Sequence, residues 1–200
     1  MPPPPLPAQP TLILLAGANG AGKSTLHRLV LGPRTRLPFV NADAIQRDEL
    51  RDPDPSASYQ AARLAAERRA AHLAAGESFV TETVFSHPSK LQLLRDARTR
   101  GYRLIVLHIG VERLDTNLSR VARRVRRGGH GVPEHKVGTR RDRGGALIRE
   151  AVLMADRAGV FDNSAEGRPP TRHLWFRGGV ETRRLAPLPD WIAALYGRAR

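Results

Sequence analysis

Residues 17–24 read GANGAGKS, and no other stretch restricts the possible folds as strongly. The octapeptide fits the pattern G-x-x-x-x-G-K-[ST]. Its glycines let the backbone curl until successive N–H groups converge on one set of oxygens. A helix starting directly after them adds the positive end of its dipole. Such a loop works only between a buried strand and a helix, and the neighbours predict both. TLILLA (11–16) is a continuous apolar run behind Pro10, and residues 23–31 read as a helix stopped by Gly32 and Pro33. Gly17, Ala18, Asn19, Gly20, Ala21, Gly22, Lys23, Ser24 and Thr25 are therefore expected to hold nucleotide phosphates. Lys23 would meet the β- and γ-oxygens, and the Ser24 hydroxyl would ligate Mg²⁺. The chain has no [NT]-K-x-D motif for reading guanine, so the expected nucleotide is ATP.

The remainder alternates strand and helix. Strands are expected at 38–43, 78–85, 102–110 and 172–178. Helices are expected at 55–76, 89–101, 111–127, 134–158 with a break at Gly144–Gly145, and 190–200. The pattern predicts an α/β fold of the P-loop NTPase type, a parallel sheet with helices on both faces. The opening MPPPPLPAQP reads as a proline-rich disordered tail over 1–10, followed by a single domain over 11–200. It has neither the basic nor the apolar part of a signal peptide. No apolar run is long enough for a membrane span, so the expected compartment is the cytoplasm.

Composition narrows the chemistry. The chain has 200 residues and no cysteine, which excludes disulfides and thiol catalysis. Its net charge is +14, and all but three of its 33 basic residues are arginine. The bias runs along the whole chain but peaks at 113–143, with ten Lys and Arg against three Asp and Glu. That density suits a phosphate-bearing partner. A basic nucleic-acid-binding protein is the alternative from another class. With aromatics at 5%, stacking platforms for bases are scarce, so no specific nucleic acid is expected.

A phosphate loop serves motors, switches and kinases. Motors place carboxylates at the end of an apolar strand, yet LIVLHIG (104–110) ends without an acid. Acids stand at two other strands: Asp43 at the end of FVNAD and Glu82 within FVTETV. In an open parallel sheet, ligands bind beyond the carboxyl ends of the strands, so both should face the Lys23–Ser24 loop. Asp43 is the candidate base that takes a proton from an acceptor hydroxyl, with capping of the helix after it as the structural alternative. Glu82 can orient the acceptor or hold water on Mg²⁺, and surface exposure on an edge strand is its alternative. The sheet order would also place Glu82, Thr83 and the loop with Ser86 and Lys90 near Asp43, on the side away from the phosphate loop. His130, between glycines in GGHGVP, reads as a lid or turn residue. FDNS (161–164) reads as a loop beside adenine or an Asx turn.

Taken in order, GANGAGKST, FVNADAI, FVTETVFSHPSKL, GYRLIVLHIG, RVARRVRRGGHGVPEHKV and VFDNS resemble the zeta-toxin family of P-loop kinases over residues 11–164. The resemblance implies ATP-dependent phosphorylation of a sugar hydroxyl, with UDP-N-acetylglucosamine as the acceptor of its best-known members and an antitoxin protein as a partner. It puts Asp43 at the catalytic base, Glu82 at the substrate acid, and Thr83, Ser86 and Lys90 where the family contacts its acceptor. It also puts Arg124 and Arg140 at the phosphate-clamping arginines, with Arg120, Arg127 and Arg141 as rivals in register. The departures are the short chain and TET at 81–83, which lacks a glycine after the acid. A small-metabolite kinase of the gluconate, shikimate or antibiotic-modifying type is the other enzymatic alternative.

Overall fold

The computed structural model describes residues 9–52, 54, 56–85, 87–126 and 134–197. The side chains of Arg124 and of residues 134–143 lie outside the description. Seven strands form one sheet in the order β2-β3-β1-β4-β5-β6-β7. They are β1 (Thr11–Ala16), β2 (Phe39–Val40), β3 (Phe79–Thr83), β4 (Arg103–Gly110), β5 (Arg157–Asp162), β6 (Thr171–Arg177) and β7 (Val180–Arg184). β1 to β5 run parallel, whereas β6 and β7 pair antiparallel to their neighbours.

The helices are α1 (Lys23–Leu26), α2 (Ala42–Ala44), α3 (Ala57–Ala75), α4 (Lys90–Thr99), α5 (Leu114–Arg126), α6 (Glu134–Met154) and α7 (Asp190–Tyr196). α1 and α2 each continue as a π-helical turn, over His27–Leu31 and Ile45–Leu50. Wider turns of this kind gather at functional sites. β1 is buried on both faces, which explains its unbroken apolar sequence. Leu12 and Leu14 pack with Ala61 and Ala65 of α3, Leu94 of α4, Ile148 of α6 and Ile192 of α7. Ile13 and Leu15 face the other way, toward Ala21 and Leu26 of the loop and α1. Helices therefore cover both faces, as an α/β fold of this type requires. Among the described residues no helix is long and apolar enough to cross a membrane.

Three departures from the sequence expectations bear on the site. The strand expected over 38–43 stops at Val40, because Asn41 turns the chain and caps α2. α6 runs unbroken through Gly144 and Gly145, where Cβ atoms would press on the Val84 carbonyl at 3.3 Å and on Leu195 at 3.1 Å. Those glycines serve close packing rather than a break. The expected helix also ends at Met154, and RAGVFD forms β5 instead. Its polar opening and Gly159 mask a strand whose centre is buried between β4 and β6. The sheet is thus mixed at one edge, where β6 and β7 form a hairpin.

Candidate functional site

The phosphate loop leaves β1 at Ala16 and enters α1 at Lys23. Gly20 (φ 77°) and Gly22 (φ 99°) sit in the left-handed region that favours glycine. Steric space demands glycine as well: a Cβ at Gly20 would run into the Asn117 backbone, and one at Gly22 into the Asn163 amide. Those two asparagines, both buried, hold the loop. Asn117 of α5 donates from Nδ2 to the Asn19 carbonyl at 2.7 Å, and Asn163 from Nδ2 to the Ala21 carbonyl at 2.8 Å. Lys23 is buried at 8% exposure, and its Nζ donates to the Gly17 carbonyl at 2.9 Å and the Ala18 carbonyl at 3.3 Å. The loop thus holds an ammonium inside a ring of backbone groups.

Sequence reasoning missed Asn117 and read Asn163 only as part of a loop or turn. The Asx turn exists, but Asp162 makes it: its Oδ2 accepts from the Ser164 N–H at 3.1 Å and its Oδ1 from the Ser164 hydroxyl at 2.7 Å. Asn163 is thereby turned toward the phosphate loop. A buried asparagine on a neighbouring element leaves no periodic signal in the sequence.

The acids come next. The Asn41 side-chain oxygen accepts from the Asp43 N–H at 2.8 Å and the Ala44 N–H at 3.3 Å, so Asn41 caps α2. Asp43 sits one turn in, exposed on the wall of a cavity of about 950 Å³. The capping alternative for Asp43 falls to its neighbour. Glu82 lies opposite Leu15 in the β1–β3 register, and the Ser24 hydroxyl is 3.4 Å from its Oε2. β3 is thus no edge strand; β2 flanks it on the other side, with Thr81 donating to the Val40 carbonyl at 2.9 Å. Glu82 thus faces the Lys23–Ser24 loop, as its place at a strand end leads one to expect, and the acceptor placement on the side away from that loop is corrected. β3 pairs directly with β1, so its carboxylate lands beside Ser24.

One cavity collects these groups. Lys23, Ser24, Thr25, Asp43, Glu82, Thr83 and Lys90 all line it. The central β1 divides its walls. On the β2–β3 flank stand Asp43, Glu82, Lys90 of α4 and Arg69 of α3; on the β4–β5 flank stand Arg120 and Arg123 of α5, Asn163, Glu166 and Arg168. Arg123 pairs with Glu166 at 2.7 Å. The Nη1 of Arg120 is buried with no hydrogen-bond partner among the described residues. Burial pulls the Arg120 guanidinium below its ordinary value, with Glu166 pulling the other way.

Arg124 falls within α5, but its side chain is outside the description, as are Ser86, the segment 127–133 with Arg127 and His130, and the side chains of Arg140 and Arg141. Arg28, Arg69, Arg123 and Arg168 were not singled out in the sequence. One of them left a signal there. Ala57, Ala61 and Ala65 recur every four residues on the buried side of α3, and the next position in that stripe is Arg69.

The sequence pattern of the zeta toxin family matches residues 3–141. An uncharacterized protein of Haemophilus influenzae is 30% identical over 131 residues, covering 61% of this chain and 86% of that one. Among solved structures, AvrRxo1-ORF1 in complex with AvrRxo1-ORF2 and ATP superposes with a TM-score of 0.64 at 17% identity. The match covers 88% of this chain and 61% of that chain, so the present chain spans about six tenths of that protein's length. The Streptococcus pneumoniae PezAT toxin-antitoxin system gives a TM-score of 0.59 at 13% identity over 96% of this chain and 80% of that one. A putative kinase of Chloroflexus aurantiacus gives 0.53 at 24% over 68% and 80%. These likenesses establish a shared fold.

Proposed function

The chain belongs to the zeta toxin family of P-loop kinases, and from that premise we propose that it moves the γ-phosphoryl group of ATP to a hydroxyl of a nucleotide sugar, UDP-N-acetylglucosamine or a close relative. The observation that carries the reading is one cavity in which the Lys23–Ser24 loop and the Asp43 carboxylate share a wall. Phosphoryl transfer needs little covalent help from a protein. It needs the reactants aligned and the developing charge neutralised.

In this reading the loop N–H groups cradle the phosphates, and Lys23 exchanges the Gly17 and Ala18 carbonyls for phosphate oxygens. The Asp43 carboxylate accepts the proton of the acceptor hydroxyl as its oxygen bonds to the γ-phosphorus. The bond from that phosphorus to the bridging oxygen breaks, and ADP leaves with the electron pair. Arg124 and Arg140 are the arginines that the family resemblance assigns to the transferring group. Arg120, one helical turn before Arg124, lines the cavity and takes the same part.

The residues present fit a bound Mg²⁺. The Ser24 hydroxyl and the Glu82 carboxylate stand side by side at the phosphate loop, and among the described residues there is no denser cluster of ligating acids or histidines. That sparse set suits an ion that keeps several waters and shares phosphate oxygens. When bound, Mg²⁺ neutralises charge on the β- and γ-phosphates. Ser24 would ligate it, and Glu82 would hold one of its waters while facing the acceptor. Thr83 and Lys90 complete the acceptor wall, and Ser86 belongs to the same acceptor reading. An antitoxin-type regulator belongs to the same reading, supported by the pneumococcal neighbour.

The test is incubation with ATP, Mg²⁺ and a panel of UDP-sugars, free sugars and small hydroxyl metabolites, followed by mass spectrometry. The expected result is a gain of about 80 Da on a UDP-sugar, the mass of one transferred phosphoryl group, absent with Lys23→Ala. A gain on a free sugar or metabolite alone would remove the nucleotide sugar and leave the kinase.

A further inference from the structure

The arginines of α3 divide by direction. Arg63 pairs with Glu67 at 2.7 Å, and Arg68 makes a two-pronged pair with Glu49 of the preceding π-helical turn, both on the outer surface. Arg69 points the other way. It follows Ala57, Ala61 and Ala65 on the buried stripe, is partly buried, and lines the cavity on the flank that holds Asp43. It has no hydrogen bond or ion pair among the described residues. Burial alone bears on its ionisation, pulling it below its ordinary value.

A guanidinium cannot shed its proton under ordinary conditions, so a sheltered one requires acceptors. Its planar fork matches two oxygens of a carboxylate or a phosphate. The wall around it leaves room for such a group, because α3 presents the small Ala62 and Ala65 to the same cavity. Lys90, at the start of α4, adds a second cation on this flank. The nucleotide phosphates belong to the loop after β1, whereas Arg69 stands with Asp43 on the β2–β3 flank of the same cavity.

We propose that Arg69 forms an oxyanion subsite at the acceptor end of the cavity, so that the hydroxyl compound phosphorylated here also carries a carboxylate or a phosphate. The inference rests on the phosphotransferase reading for the word acceptor, but the subsite stands on Arg69 itself. Asp43 would then meet the reacting hydroxyl while Arg69 fixes the far end of the same molecule, which sets register as well as affinity.

The experiment uses the full chain with its phosphate loop filled by Mg²⁺ and a non-hydrolysable ATP analogue. Three probes on one carbon skeleton are titrated by calorimetry: glycerol, glycerate and glycerol 3-phosphate. The expected result is saturable binding of an anionic probe and none of glycerol, the better anion naming the source. Arg69→Met should weaken that binding by at least about tenfold, and Arg69→Lys by less for the phosphate than for the carboxylate, since a point charge lacks the fork. Without ligand, Arg69→Met should unfold a few degrees higher than wild type, because an unpaired sheltered charge is gone. A merely structural arginine would instead lower the midpoint. Equal binding by Arg69→Met, equal binding of glycerol, or a lowered midpoint would overturn the proposal. Failure of the phosphotransferase reading would look different: anionic probes would bind through Arg69, yet no hydroxyl compound would gain mass.

Discussion

Three arginines of the β6–β7 hairpin and two of the cavity wall, Arg69 and Arg120, carry the same charge in opposite surroundings. On the hairpin, Arg172 donates to the Ala158 carbonyl at 2.9 Å and lies over the Trp175 ring at 4.8 Å. Arg183 lies over the same ring at 4.9 Å, and Arg184 pairs with Glu181 at 2.7 Å. Each of these three guanidiniums has a carbonyl, a ring or a carboxylate against it. On the cavity wall, Arg120 keeps a buried Nη1 without an acceptor, and Arg69 is unpartnered among the described residues. Thirty arginines make a poor functional signal, whereas an arginine sheltered without an anion makes a strong one. The acids differ in exposure. Asp162 is engaged by Ser164 and by the Trp191 indole N–H at 2.8 Å, while Asp43 is exposed to the cavity.

The contrast can be broken first at Asp43. Asp43→Asn should leave ATP binding and the melting temperature near wild type and lower kcat by about 10²- to 10⁴-fold, the range for removal of a general base. A near-normal kcat would make Asp43 another structural acid. Arg120→Ala should cost about 10²- to 10³-fold in kcat with little change in the KM for ATP, as loss of a transition-state charge partner does. If KM alone moved, Arg120 would be a ground-state phosphate anchor.

His108 tests the satisfied side. It is buried, its Nδ1 lies 2.7 Å from the Tyr196 hydroxyl, and burial pushes its pKa down to about 3. The unfolded chain takes up this proton near 6.5, and the folded chain only near 3. The contribution of neutral His108 is therefore complete above pH 6.5 and erodes as pH falls toward 3, by up to about 1.4 kcal/mol per pH unit. The stability gap between wild type and His108→Gln, measured by denaturant titration from pH 7 to 4.5, should shift against wild type across that window. A constant gap would mean that His108 is reached by solvent protons in the native state.

Arg172→Met should lower stability by about 2 kcal/mol through the lost carbonyl bond and ring contact, with kcat unchanged. A fall in kcat without a fall in stability would erase the distinction between hairpin and cavity. The smallest effect belongs to Arg63→Ala. Its exposed pair with Glu67 should be worth less than about 0.5 kcal/mol, and a larger loss in thermal unfolding would show that α3 depends on its outer face.

Much of this molecule was already written in local patterns. The phosphate loop, the buried strand before it and the alternation of strands and helices follow from glycine spacing and apolar periodicity, which neighbouring residues impose on one another. FVNAD and FVTETV announced two acids at the ends of adjacent strands, and one cavity holds both. β5 and β7 were invisible because RAGVFD and VETRR lack the apolar runs that mark a strand, and only pairing with β4 and β6 supports them. The contact between Glu82 and Ser24 depended on which strand neighbours β1. Asn117 and Asn163 act across 98 and 142 residues of chain to hold the loop, a separation at which no local preference operates. The same holds for the arginines. Sequence determined how many there are, but whether a guanidinium meets a carbonyl, a ring, a carboxylate or an empty cavity is decided by groups brought together from distant parts of the chain, because desolvation and hydrogen bonding exist only once those groups are packed.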